Sequence, residues 1–122
     1  MNRRYFLLAS FLVLVVLTAL DLTGIFYLLY WKIWWYDIPA HILGGISVAL
    51  GAAWLQSLYH KAPTFFFCVT AALVVGIAWE IFEASTGITQ FPHDTLDTIK
   101  DLFDDTIGGM VVGLIVTQLR RS

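Results

Sequence analysis

Five ionisable residues carry the chemistry open to this sequence: His41, Glu80, Glu83, Asp101 and Asp105. Glu80 and Glu83 are i, i+3 neighbours, Asp97, Asp101 and Asp105 form an i, i+4, i+8 series, and Asp37 and His41 an i, i+4 pair. On helices each set is a strip along one face. One imidazole among several carboxylates, with no thiolate, is a donor set for a hard or borderline divalent metal such as Mg, Mn, Ca, Fe or Zn. The metal ligands would be His41, Glu80, Glu83, Asp101 and Asp105, with Glu80 or Glu83 left as the catalytic general base toward metal-bound water. Facing carboxylate strips also resemble dimetal sites of four-helix proteins, although the Glu-x-x-His element of those sites is absent. No other cofactor is indicated, and the single cysteine, Cys68, supports neither a disulfide nor a thiolate site.

Other acids have simpler explanations. Asp37, Asp94 and Asp97 suit helix N-termini, where caps and the dipole favour anions, and Asp104, off the strip, suits a solvated position. His60 and His93 read as loop histidines. That account fails for Glu80 and Glu83, which close an apolar stretch at its C-terminal end, where the helix dipole disfavours negative charge. Ionisable groups inside a bilayer are costly and mark functional sites.

The elements that must position these residues are membrane helices. The chain is 59% hydrophobic with only 13% charged residues, and its mean hydropathy is +0.79, which excludes a soluble domain of this size. Four apolar stretches reach bilayer length, spanning about 5–20, 40–59, 64–81 and 95–119, and only helices satisfy their own backbone there. The expected fold is an all-α integral membrane protein, a single domain over 1–122 built as two hairpins. His60-Lys61-Ala62-Pro63 is the tight connection within the bundle. The N-terminal stretch reads as a retained helix, because Leu17-Thr18-Ala19 is a poor cleavage site.

Arg3, Arg4, Lys61, Arg120 and Arg121, five of the seven Lys/Arg residues, fall on one side of this arrangement. The positive-inside rule then places both termini in the cytoplasm and every acidic residue at the external side. The net charge of −2 conceals this split and argues against nucleic acid as a partner. At about 1.5 Å per residue from the cytoplasmic ends, His41, Glu83 and Asp101 come out at roughly 28–30 Å, with Glu80 near 25 Å and Asp105 near 22 Å. In a hydrocarbon layer about 30 Å thick the last two lie inside the outer edge. Beneath them Gly44, Gly45, Ala49, Ala72, Gly76, Gly108, Gly109 and Gly113 supply small surfaces for close helix approach.

Asp37-x-x-x-His41-x-x-Gly44-Gly45 recurs as Asp101-x-x-x-Asp105-x-x-Gly108-Gly109, which predicts a pseudo-two-fold relation between the hairpins about the membrane normal. Between the first two stretches, 25–36 is crowded with aromatics from Phe26 to Tyr36. It reads as an interfacial belt, either a surface helix or a continuation of the first helix, and alternatively as a lid over the acidic site.

The order Asp37-Ile38-Pro39-Ala40-His41 with Gly44, then Trp79-Glu80-Ile81-Phe82-Glu83, then Asp97-Thr98-Ile99-Lys100-Asp101 with Gly108 resembles the YjdF-like inner-membrane proteins and, more distantly, the VanZ-like family. The similarity runs from about Tyr36 to Gly113. It implies an inner-membrane protein; VanZ-like proteins are linked to glycopeptide resistance. The chain is shorter than most YjdF-like proteins, with fewer spans, and has Asp105 where VanZ-like proteins usually have Asn.

Polar groups predict a one-sided site, since between the acids and the cytoplasmic ends the stretches hold no acidic or basic relay, only uncharged groups such as Ser47, Gln56, Cys68 and Thr70 among apolar neighbours. The first expectation is a metal-dependent enzyme or binder acting on a lipid-like amphiphile whose head group lies at the outer leaflet of the membrane lipids. The alternatives are a structural or assembly subunit of a membrane complex, its acidic face paired with a basic partner, and a cation transporter formed as an oligomer. The topology is directly testable. A reporter fused after Ser122 should be cytoplasmic and one inserted near Thr89 external; the opposite pair of locations inverts the site.

Overall fold

The computed structural model of the chain describes residues 2–87 and 94–121, so Thr89 and His93 lie outside them. Its helices are α1 (Arg3–Phe26), α2 (Leu29–Lys32), α3 (Asp37–Leu58), α4 (Phe65–Ser85) and α5 (Thr95–Arg121), and no strand occurs among the described residues. Four of them are long and apolar enough to cross a membrane. The protein is therefore an all-helical, multi-pass membrane protein. The first span continues past Asp21 to Phe26 before the chain turns, and α4 runs on through Glu83 to Ser85.

The helix ends follow from local chemistry. Asn2 caps α1 through its side chain, which accepts from the Arg4 amide at 3.0 Å, and Thr64 caps α4 by accepting from the Phe67 amide at 3.3 Å. At the end of α3 the backbone of His60 turns left-handed, at φ 58°. The Lys61 amide then reaches back to the Gln56 carbonyl at 3.2 Å. The Gln56 side chain also accepts from the Thr64 amide at 2.9 Å, which ties the α3–α4 connection together.

Helix directions follow from contacts at the two ends. Arg3, His60, Lys61 and Arg120 surround one cavity, while His41 meets Asp101 and Asp105 at the other end. Consequently α3 and α5 run parallel, with α1 and α4 antiparallel to them. The core between them is small: Ala49, Ala53, Cys68, Val112 and Val116 are buried, together with Phe6 from α1. Large residues such as Phe11, Val74, Phe66 and Leu114 point outward, as expected where lipid replaces water as the solvent.

Small residues permit the tightest contact. A Cβ at Gly45 would overlap the Asp105 carbonyl, and one at Gly108 would overlap the Ile42 carbonyl, so α3 and α5 meet backbone to backbone. The repeated motif thus brings two parallel helices together at its own glycines. The two-fold relation is partial: α1 packs on α3 and α4 on α5, but α4 also packs extensively on α3, whereas α1 makes no comparable contact with α5.

The aromatic segment combines both expected forms, since α1 extends into it and α2 is a single turn. It folds back on α1: Tyr36 donates to the Leu20 carbonyl at 2.6 Å and Tyr30 to the Asp21 carboxylate, both crowding Gly24. Burial, then the Asp21 hydrogen bond and charge, push the Tyr30 hydroxyl well above the ordinary tyrosine range. Its extensive contacts are with α1.

The glycine contacts give a contrast. Gly45→Ala should destabilise the protein by roughly 1–3 kcal/mol through overpacking. Gly51, whose Cβ would meet only Ser10 Oγ at 3.7 Å, should tolerate alanine or gain up to about 1 kcal/mol from helix propensity. Unfolding of the two variants in mild detergent, followed by circular dichroism, checks this; equal effects would remove the close approach from the account.

Candidate functional site

The first turn of α3 and the second and third turns of α5 build one half of the site. Asp37 opens α3 and His41 lies one turn on, so both project from the same face. His41 Nε2 lies 3.4 Å from Asp37 Oδ1 and 3.4 Å from Asp101 Oδ2, and its Nδ1 lies 3.0 Å from Asp105 Oδ1. Both ring nitrogens face carboxylates, a geometry that a doubly protonated ring satisfies with a donor on each side. The missing side chain at Gly76 of α4 makes room for Asp105, whose carboxylate occupies the space a Cβ would take.

Lys100 completes this half. Its Nζ lies 3.1 Å from Asp101, 3.3 Å from Asp104 and 3.5 Å from Asp37. Asp104, expected to be solvated, is only 5% exposed. The reason is its spacing: Asp101, Asp104, Asp105 and Gly108 follow i, i+3, i+4, i+7 and share the buried face of α5. Asp97, the first member of the expected strip, is exposed.

The end of α4 supplies the other half. Glu80 is 5% exposed; its Oε2 accepts from Thr98 Oγ1 at 3.4 Å, while its buried Oε1 has no hydrogen-bond partner. Glu83 Oε1 accepts from Trp79 Nε1 at 2.8 Å. Glu80, Glu83 and Asp101 each place an oxygen within 4.8 Å of the others, and Asp37, His41 and Asp101 place ligand atoms within the same limit. Two donors on one ion stand at most twice the bond length apart, roughly 4–5 Å for bonds of 2.0–2.6 Å. Either triad meets that requirement, most comfortably for the longer bonds.

The structure therefore brings together all the residues singled out from sequence, but around two adjoining centres that share Asp101. His41 and Asp105 belong to the half already supplied with Lys100; Glu80 and Glu83 belong to the other. Lys100, Asp104 and Thr98 are additional members. The signal for Lys100 was its position beside Asp101 and i, i+4 before Asp104.

A family model described as "Predicted membrane protein (DUF2238)" matches residues 2–122. The chain belongs to the DUF2238 family. No curated protein and no solved structure matches it.

In this DUF2238 chain Lys100 is the counter-charge on which Asp104 depends. Removing one partner of a buried pair costs about 3–5 kcal/mol, but the Lys100 side chain is 37% exposed, which reduces that cost toward the surface range of about 0–1 kcal/mol. Lys100→Met should destabilise the protein, and Asp104→Asn should cost less in that background than in the wild type. A double-mutant cycle should yield a coupling of about 0.5–3 kcal/mol; strict additivity would dissolve the pair.

Proposed function

We propose that the protein binds a divalent cation between Glu80, Glu83 and Asp101 and uses it at one membrane face toward the polar head group of a lipid-like amphiphile. One observation carries the reading. Glu80 Oε1 is buried without a partner at the C-terminal end of a helix, where neither solvent nor the dipole offsets negative charge. The neighbouring oxygens of Glu83 and Asp101 supply the further donors that a cation offsetting this charge would need. Carboxylate donors favour Mg, Mn or Ca; His41 and Asp37 on the far side of Asp101 would bring in Fe or Zn. When bound, the metal would supply Lewis acidity. Glu80 and Glu83 would then divide between holding it and accepting a proton, while Asp105 orients His41.

Sidedness supports an external location. Cationic residues line the opposite end, so the positive-inside rule assigns the termini to the cytoplasm and the carboxylates to the outer face. The core beneath the cluster is Ala49, Ala53, Cys68, Val112 and Val116, which favours a one-sided site over a cation path through a single chain. DUF2238 membership supports a membrane setting and is compatible with the YjdF-like resemblance. The alternative of a structural or assembly subunit keeps only its structural part: Lys100 and His41 engage Asp37, Asp101, Asp104 and Asp105 within the chain, so that half is suited to holding this chain's own helices together.

Elemental analysis of purified protein decides between them. The wild type should carry about one divalent metal per chain, and Glu80→Gln, close to isosteric, should lower it severalfold while circular dichroism stays unchanged. A metal-free wild type after exposure to each candidate ion sinks the cation reading and leaves the subunit reading.

A further inference from the structure

At the end opposite the carboxylates, Arg3, His60, Lys61 and Arg120 surround an open cavity of about 450 Å³. Its remaining lining among the described residues is Phe6, Ser57, Ala62, Pro63, Val116 and Leu119, with no acidic side chain among them. Phe6 and Val116 are core residues, so the floor is apolar and fixed. The rim comes from three places in the chain: the start of α1, the α3–α4 connection and the end of α5. The connection is rigid, because Gln56 bonds Thr64 through both its side-chain oxygen and nitrogen and its carbonyl accepts from the Lys61 amide. Lys61 is thus presented on a braced turn.

We propose that this cavity binds one anionic phospholipid, its head-group phosphate among Arg3, Lys61 and Arg120 and its glycerol and upper acyl carbons on Phe6, Val116 and Leu119. Charge complementarity argues for an anion, since the acids whose contacts are described lie at the other end. The apolar floor argues for a lipid over a free phosphate. Cations at the end of a membrane bundle lie at the depth of head groups, where each contributes attraction to anionic lipid. The proposal is independent of the cation reading, resting on different residues at the other membrane face.

The full chain, reconstituted with equal amounts of phosphatidylglycerol and phosphatidylcholine and returned to mild detergent, should retain about one phosphatidylglycerol per chain in native mass spectrometry, with phosphatidylcholine depleted. Replacing Lys61 and Arg120 together by alanine should weaken retention by about 25-fold, at about fivefold per cation. Arg4→Ala, which removes an exposed charge at the same end but outside the cavity lining, should change retention less than twofold. Equal retention of the two lipids by the wild type overturns the proposal and needs no variant to be folded. So does a loss in Arg4→Ala matching that of the Lys61 and Arg120 double replacement, which would indicate diffuse charge. Displacement of the lipid by millimolar inorganic phosphate would likewise overturn it, in favour of a site for the free ion.

Discussion

Everything at the acidic end depends on the backbone contact between α3 and α5. With Gly45 against the Asp105 carbonyl and Gly108 against that of Ile42, the two helices have no freedom to slide or rotate without collision. In lipid, where apolar side chains gain little by meeting one another, such close approach is a main source of association. It lies one turn beneath His41, so the imidazole must emerge beside Asp101 and Asp105. Gly76 then admits the Asp105 carboxylate on the α4 side, and Glu80, one turn above Gly76, arrives at the same cluster.

That geometry creates an uneven distribution of charge. The N-terminal end of α3 points toward the carboxylates and its dipole favours Asp37 in its first turn, whereas Asp101, Asp104 and Asp105 lie in the second and third turns of α5, beyond the first turn where that helix's own dipole acts. Lys100 and His41 add direct partners. The antiparallel α4 presents its C-terminal end instead, so Glu80 and Glu83 meet the opposite field. One half of the cluster is compensated by Lys100 and His41, while in the other the buried Glu80 Oε1 has no hydrogen-bond partner, which is why a ligand is sought at Glu80 rather than at His41.

Much of this was legible in the sequence. Span number and hairpin order followed from hydropathy, and depth counting brought residues distant in sequence to one level, because helical rise is nearly constant. The misfit of Glu80 followed from its place at a helix end. What escaped were relations that depend on rotation about a helix axis. Asp104 and Lys100 flank the strip drawn at i, i+4 spacing, and only the wider buried face imposed by two neighbouring helices turns both inward. Likewise, His41 could be assigned to a ligand set by type, but the sequence had no means of showing that carboxylates occupy both its nitrogens.

The peripheral position of α1 bears on how the chain is made. It leaves the ribosome before α3, its extensive helical partner. In the interval it must sit in lipid without that partner, and its composition suits that: mean hydropathy over its most apolar window is 2.4, and Thr18 and Thr23 turn their hydroxyls onto the carbonyls of Leu14 and Ala19 within the same helix. Ser10 is different. Its hydroxyl donates to the Ser47 carbonyl at 2.8 Å, while Ser47 Oγ returns a bond to the Ser10 carbonyl at 3.2 Å. The Ser10 hydroxyl can therefore exchange a bond within its own helix for this reciprocal pair only once α3 lies alongside, which makes the pair a marker of that packing step.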